Sequence, residues 1–245
     1  KLIDPELADE FKKLRFNLYT LERDFFAGRE KGIIFPLPPF LYAIMDRAFV
    51  SKQDILSVTV DLIEGGVDLI QYRAKDASRS EMRSDLLGIL AGARDRPVPV
   101  IVNDDPELAS ETGADGVHLG SEDPSPESSR ALLGPNRIIG VTVHTIAEVD
   151  SVPAGVVDYV SVGSIFPSET KPDIEPLGPE FLRQVRKRVD LPIVAIGGID
   201  ASNIDAVLDE GADGVALISS LLVGDVRKNC FTLREIIDRR KKKKE

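Results

Sequence analysis

The chain has only one cysteine, no tryptophan and two histidines among its 245 residues. The single cysteine, Cys230, excludes a disulfide within the chain, which is typical of a reducing compartment, so we expect a cytoplasmic protein. No nucleophile motif surrounds Cys230, and we interpret it as an incidental thiol. The two histidines do not form a plausible metal-binding set.

Long apolar runs and a positive net charge are also lacking. No stretch approaches the ~18 apolar residues that could span a membrane, and the first residues lack the apolar segment of a signal peptide. The net charge of −10 disfavours nucleic-acid binding as the main function. We therefore expect neither a membrane nor a nucleic-acid partner, and an anionic substrate would need local cations or a metal.

Length and patterning indicate three segments. Residues 1–39 are predicted to be a helical arm and linker, because apolar residues from Leu7 to Leu21 recur at spacings of three and four. Residues 40–238 are long enough for one α/β barrel. Residues 239–245 form a basic tail, which we interpret as a solvated end of the last helix.

The middle segment predicts a (β/α)8 barrel. Eight short, Val- and Ile-rich runs alternate with helical stretches, and nearly continuous apolar runs are typical of parallel strands buried on both faces. A doubly wound open sheet is the alternative. The predicted strands are 40–45, 68–73, 98–103, 116–119, 138–143, 159–165, 192–196 and 214–218.

An internal repeat favours closure of the barrel. Each member brings the chain into an even-numbered strand, with an aspartate at the turn. A period of two strand–helix units suits a closed sheet. The four members are GGVDLI (65–70), GADGVHL (113–119), VVDYVSV (156–162) and GADGVAL (211–217).

In such a barrel the active site lies at the carboxyl ends of the strands. The second strand ends in Gln71, Arg73 and Lys75, whose charges and amide could bind a phosphate or pyrophosphate. Surface ion pairs are the alternative. Asp104 and Asp123 follow adjacent strands and could share one Mg²⁺.

Helix capping is the alternative role for these aspartates. We predict Asp105 as the cap and Asp104 as the metal ligand. His118 lies within a strand, where a hydrogen-bonded wall histidine is expected rather than a catalytic one.

Two later loops predict a second anion site. The loop after the sixth strand carries hydroxyls and Lys171, which suits an anion clamp or lid. Glycines after the seventh strand and backbone N–H groups after the eighth form a phosphate site in many barrels. Two anionic substrates, one of them metal-bound, are the simplest interpretation.

From Phe40 to Leu222 the chain resembles the thiamine phosphate synthase family. The segment Gly163–Gly178, which contains TKPD and PLG, is the most specific, together with QYRAK. The other matching motifs are LYAIMD, VND, GADGVHLGSED, IGVTVHT, VAIGGI and GADGVALISS.

The resemblance implies a transferase that condenses hydroxymethylpyrimidine pyrophosphate with hydroxyethylthiazole phosphate to give thiamine phosphate and pyrophosphate. It implies catalytic roles for Arg73, Lys171 and Thr142, with Mg²⁺ at Asp104 and Asp123. The pyrimidine substrate would contact Gln71, Arg73, Lys75, Asn103 and Thr142, with Lys171 at its pyrophosphate. The thiazole phosphate would contact Ser168, Thr170, Gly198, Ile218 and Ser219.

The chain departs from the family at three positions. The family often has arginine where Asp105 stands, glutamine at Ser121 and serine at Thr142. A thiazole tautomerase-like isomerase and a non-catalytic thiazole phosphate-binding regulator stay open as alternatives, as does a homo-oligomer. A sugar-phosphate epimerase is disfavoured by the TKPD loop.

Overall fold

The structure is a computed structural model that describes residues 35–167 and 175–243. Eight parallel strands form a closed barrel in which each strand pairs with the next and the last pairs with the first. The predicted (β/α)8 barrel is therefore confirmed, and the open-sheet alternative is wrong. The strands are β1 (Phe40–Asp46), β2 (Leu69–Arg73), β3 (Val100–Asn103), β4 (Gly116–Leu119), β5 (Ile138–Val143), β6 (Tyr159–Val162), β7 (Ile193–Ile196) and β8 (Gly214–Leu217).

Helices follow the strands around the outside of the barrel. A short 3-10 turn, Lys52–Asp54, leads into the first of them. Within the described residues the helices are α1 (Ile55–Glu64), α2 (Arg79–Ala93), α3 (Pro106–Thr112), α4 (Pro126–Leu133), α5 (Ile146–Asp150), α6 (Glu180–Arg186), α7 (Ile204–Asp209), α8 (Ser219–Leu222) and α9 (Val226–Lys243). No helix in these ranges is both long and apolar enough to cross a membrane.

The hydrophobic core has two parts. The larger part fills the space between the strands and the surrounding helices. The smaller part fills the barrel interior and includes Phe40, Tyr42 and Tyr159. Phe35 packs beneath it, with ring centroids 5.4 Å from both Phe40 and Tyr159. Phe35, in the predicted linker, thus closes the amino-terminal end of the barrel, whereas the predicted helix of the arm lies outside the described residues.

Gly140 makes room for the ring of Tyr159 inside the barrel. A Cβ atom at Gly140 would lie 2.0 Å from Cζ of Tyr159. Any side chain at this position of β5 would therefore displace the tyrosine. The small residue allows a large polar ring to reach the centre of the barrel, where its hydroxyl meets other strands.

The aspartates of the internal repeat join neighbouring strands at the amino-terminal end of the barrel. Each carboxylate accepts a backbone N–H from the preceding, odd-numbered strand at 2.7–3.0 Å. Three of them also pair with an arginine. The repeat therefore supplies a strand-to-strand clamp at every second step of the barrel. The four aspartates are Asp68, Asp115, Asp158 and Asp213.

Asp158→Ala is expected to lower the free energy of unfolding by about 3 kcal/mol, because it leaves the half-buried guanidinium of Arg130 without its carboxylate. Asp158 is buried, accepts from the Ile139 N–H and lies 2.7 Å from the Arg130 guanidinium. Urea unfolding at neutral pH measures the loss. The control is Asp150→Ala, which removes an exposed pair with Arg188 and should change stability by less than about 1 kcal/mol. Equal losses in the two variants would contradict the clamp.

The last helix carries both the lone cysteine and the start of the predicted basic tail. Cys230 is buried against Gly65, and burial raises the pKa of its thiol to about 12, which is typical of a structural cysteine. Arg240 binds Asp205 and Asp209 of α7. The helix continues to Lys243. Through Arg240, the start of the predicted tail is held against α7.

Candidate active site

Two carboxylates face each other at the carboxyl ends of β3 and β4. The side chains of Asp104 and Asp123 lie within hydrogen-bonding reach of each other, and the backbone N–H of Gly120 donates to Asp123 at 2.6 Å. Burial and the neighbouring Asp123 raise the pKa of Asp104 to about 6, while Lys75 and Arg73 act in the opposite direction. The fold therefore brings the two predicted metal ligands together, close to two predicted cations.

This donor set fits a magnesium ion. The carboxylates crowd two negative charges into a half-buried site, and a divalent cation between them would relieve that repulsion. Mg²⁺ commonly takes one or two carboxylates and completes its shell with water and substrate phosphates. In the described part of the chain, no group of three or more His, Cys, Asp or Glu side chains forms a metal cage.

Asp105 caps a helix, as the sequence predicts. Its side chain accepts the Leu108 N–H at 2.8 Å at the start of α3, and it lies 2.7 Å from Arg79. The guanidinium of Arg79 also contacts Glu111 at 3.0 Å. The negative charge that replaces the family's usual arginine is thus offset by an arginine from α2.

Arg73 at the end of β2 forms an ion pair with Asp46 at the end of β1. Asp46 is almost fully buried and also accepts the Ala48 N–H at 2.9 Å. The pair uses one guanidinium nitrogen, and arginine has five N–H donors, so donors remain for a phosphate. Sequence reasoning gave Asp46 no role, although an acid that ends a wholly apolar strand was a usable signal.

Gln71 and Thr142 lie at the two ends of a polar chain inside the barrel. Gln71 is buried and donates to the hydroxyl of Tyr42. Thr142 is half-buried and hydrogen-bonds with His118, whose other ring nitrogen contacts Tyr159. His118 is therefore a buried, hydrogen-bonded wall histidine, as the sequence indicates. The two tyrosines were missed, because nothing in the sequence shows that strands 1 and 6 meet across the interior.

A cavity of about 280 Å³ opens beside the ends of β5 to β8. Its lining includes Gly198, Ile218 and Ser219, three of the predicted thiazole phosphate contacts. The short helix α8 begins at Ser219, at the position where many barrels bind phosphate. His144 and Ser164 also line the cavity, and sequence reasoning assigned neither of them a role.

The double glycine after β7, predicted to form part of a phosphate site, also has a packing role. Gly197 and Gly198 both have positive φ, at 97° and 64°. A Cβ atom at Gly197 would lie 2.0 Å from the Ser164 hydroxyl, and one at Gly198 would lie 2.3 Å from the Pro167 carbonyl. The glycines therefore let the loop after β7 pack directly against the loop after β6.

Three predicted residues, Ser168, Thr170 and Lys171, lie outside the described residues. The backbone on either side of them is placed at the cavity. Pro167 lines the cavity, and the Leu177 N–H donates to the carbonyl of Ser164 at 2.8 Å. Their assignment to the thiazole phosphate and the pyrophosphate stays a prediction.

A second cavity, of about 720 Å³, lies beside β2 to β4. Lys75, Asn103 and Asp104 line it. Lys75 is exposed, whereas Asn103 is half-buried. Lys75 and Asn103, two predicted pyrimidine contacts, thus border this cavity. Thr142, a third, borders the smaller cavity together with the predicted phosphate cradle.

Comparison with known proteins agrees with this geometry. The family model described as thiamine monophosphate synthase matches residues 41–221. The thiamine-phosphate synthase of Azorhizobium caulinodans is 35% identical over 205 residues, which cover 83% of this chain and 97% of that protein. The thiamine biosynthesis bifunctional protein of Geobacter sulfurreducens is 44% identical over 160 residues, which cover 65% of this chain and 33% of that longer protein.

A solved structure shows the same likeness. The thiamine phosphate pyrophosphorylase from Pyrococcus furiosus superposes with a TM-score of 0.74 at 35% sequence identity. The match covers 82% of this chain and 96% of that one. The chain therefore belongs to the thiamine monophosphate synthase family.

Proposed function

We propose that this barrel joins hydroxymethylpyrimidine pyrophosphate to hydroxyethylthiazole phosphate, with Mg²⁺ held by Asp104 and Asp123. The observation that carries the proposal is the facing carboxylate pair beside Arg73 and Lys75 at the barrel mouth. Such a site can hold a metal-bound pyrophosphate, while the cavity at β5 to β8 offers a place for a second anion. The chain would thus act as a transferase.

The pyrimidine substrate would lie over β2 to β5. Arg73 would bind the pyrophosphate through the guanidinium donors that Asp46 does not use, and Asp46 would fix the orientation of that group. Lys75 from the loop after β2 and Asn103 from the end of β3 would contact the same substrate. When bound, Mg²⁺ would neutralise charge on the pyrophosphate and so favour its departure.

The thiazole phosphate would lie over β6 to β8. Backbone groups of Gly198, Ile218 and Ser219 would bind the phosphate, with hydroxyls of Ser168 and Thr170 from the preceding loop. The two substrates would thus lie side by side, and Thr142 of β5 would lie where they meet, because it borders the cavity of the thiazole phosphate.

The reaction needs no protein nucleophile. The bond between the pyrimidine methylene carbon and the pyrophosphate oxygen breaks, and its electron pair leaves with pyrophosphate. The lone pair of the thiazole nitrogen then forms the new carbon–nitrogen bond. Cys230, the single thiol, is buried on α9 against Gly65 and has a raised pKa, so it takes no part. Positive groups that stabilise the departing pyrophosphate are what the chemistry demands.

The synthase is favoured over the isomerase and the regulator. The relatives from Azorhizobium and Pyrococcus carry synthase and pyrophosphorylase names. A regulator would need neither the paired carboxylates nor Arg73 and its fixed partner Asp46. We also propose a cytoplasmic location, since the lone thiol Cys230 is reduced and buried.

Replacing Lys171 separates a synthase from a binding protein. We expect Lys171→Ala to lower kcat by roughly 10²-fold or more, the loss seen when one electrostatic stabiliser is removed. Thiazole phosphate affinity should change far less, because neutral hydroxyls and backbone groups bind that phosphate. Steady-state kinetics and calorimetric binding of thiazole phosphate to the same variant measure both quantities.

Two outcomes would contradict this assignment. If binding collapses while kcat at saturation is unchanged, Lys171 only holds the ground state. If the wild-type chain binds thiazole phosphate but never turns over, the regulator replaces the synthase.

A further inference from the structure

Five polar side chains form a hydrogen-bonded chain across the barrel interior. Gln71 Nε2 lies 2.5 Å from the Tyr42 hydroxyl, which lies 3.0 Å from the Tyr159 hydroxyl. The Tyr159 hydroxyl lies 2.7 Å from His118 Nδ1, and His118 Nε2 lies 2.7 Å from the Thr142 hydroxyl. These residues belong to five strands, β1, β2, β4, β5 and β6. The two ends, Gln71 and Thr142, are residues for which the family resemblance implies contact with the pyrimidine substrate.

The donors in this chain can be counted from one end. Gln71 donates through Nε2, so the single proton of the Tyr42 hydroxyl is left for Tyr159. The single proton of Tyr159 is then left for His118 Nδ1. Burial raises the pKa of both phenols well above its usual value, so both keep their protons at neutral pH.

The same count fixes the histidine. A neutral imidazole that accepts at one nitrogen carries its proton on the other. If the Tyr159 hydroxyl donates to Nδ1, a neutral His118 carries its proton on Nε2 and donates it to the oxygen of Thr142. The hydroxyl proton of Thr142 is then directed away from His118, toward the half-buried side of the residue that borders the cavity.

We propose that His118 is a positioning residue, held as the Nε2–H tautomer by Tyr42 and Tyr159, which makes Thr142 a hydrogen-bond donor to the substrate. The tautomer follows from the interior contacts alone, whereas the contact of Thr142 with a pyrimidine acceptor such as a ring nitrogen rests on the proposed function. A chain with all donors pointing one way also polarises each successive bond. The proposal explains why a buried tyrosine pair and a histidine stand beneath the mouth of this barrel.

The tautomer can be measured without substrate. The chain has two histidines, His118 and His144, so ¹⁵N-histidine labelling gives a simple NMR spectrum, and His118→Gln assigns the signals by their loss. We expect Nε2 protonated and Nδ1 unprotonated in the wild type. If Nδ1 carries the proton, the amide of Gln71 faces the other way, every donor in the chain is reversed, and the proposal is overturned.

The kinetic consequence needs a matched control. Tyr159→Phe should raise the KM for the pyrimidine pyrophosphate by roughly tenfold with a smaller change in kcat, the scale of one lost neutral hydrogen bond. Tyr72→Phe removes another buried hydroxyl, which donates to Asp85 outside the barrel interior at 2.9 Å, and should leave KM unchanged. Thr142→Ser keeps the hydroxyl and should retain the wild-type KM. Thr142→Val removes the hydroxyl and should raise the KM for the pyrimidine pyrophosphate.

The two experiments fail in different ways. Equal KM values for Tyr159→Phe and Tyr72→Phe would overturn the positioning role. Absence of turnover in the wild type would count against the proposed function, and the NMR spectrum would still decide the tautomer of His118.

Discussion

Asp104→Asn is expected to reduce kcat by roughly 10²–10³-fold and to weaken Mg²⁺ binding, because the variant loses one of two carboxylates at the proposed metal site. The substitution is suited to this backbone. Asp104 has a φ of 67°, and asparagine tolerates the left-handed region better than most residues. Steady-state kinetics against Mg²⁺ concentration measure the loss, and a circular dichroism spectrum checks that the barrel is intact.

The neighbouring aspartate provides the control. Asp105→Asn keeps a good helix cap at α3 and removes only an exposed ion pair with Arg79, so kcat should fall less than about threefold. If both variants lose activity equally, the effect is a general disturbance of the loop. If Asp104→Asn turns over normally at low Mg²⁺ concentration, Asp104 is not a metal ligand.

Arg73→Lys should lower kcat by roughly 10²-fold although the charge is kept. A guanidinium can bind Asp46 with one nitrogen and a phosphate with others, whereas an ammonium is a single point charge that must choose between them. Asp46 is buried and would compete effectively for the lysine. The expected result is a variant that binds the pyrimidine pyrophosphate but releases its pyrophosphate slowly, which rapid-quench kinetics can resolve.

A distant arginine serves as the reference for this change. Arg183 on α6 forms an exposed pair with Glu210 at 2.5 Å, and neither residue lines one of the two cavities described above. Arg183→Lys should leave kcat within about twofold of the wild type. A normal rate in Arg73→Lys would show that charge alone suffices and that the planar group has no role.

The barrel could be predicted because the strands are short runs rich in Val and Ile. Such runs are typical of parallel strands that are buried on both faces. The sequence also predicted that Asp104 and Asp123 would meet, because adjacent parallel strands end at the same edge of the sheet. Both inferences use only neighbours along the chain and along the sheet. They need no knowledge of what lies across the barrel.

The contacts across the interior could not be predicted in this way. In the structure Tyr42 and Tyr159 face inward, and their pairing depends on the stagger of the strands and on the space beside Gly140. Burial of Phe35 beneath the barrel likewise depends on how the chain enters β1. The repeat aspartates were predicted as turn residues, and their second role as clamps on the preceding strand requires the register.

Turnover by the wild-type chain, followed by ³¹P NMR with and without Mg²⁺, tests the central claim most directly. With both substrates and Mg²⁺ present, one thiamine phosphate and one pyrophosphate should appear for each pyrimidine pyrophosphate consumed. No product should form when either substrate is omitted or when excess chelator removes the metal. Undiminished turnover in chelator would contradict the metal site, and binding of both substrates without any turnover would contradict the synthase.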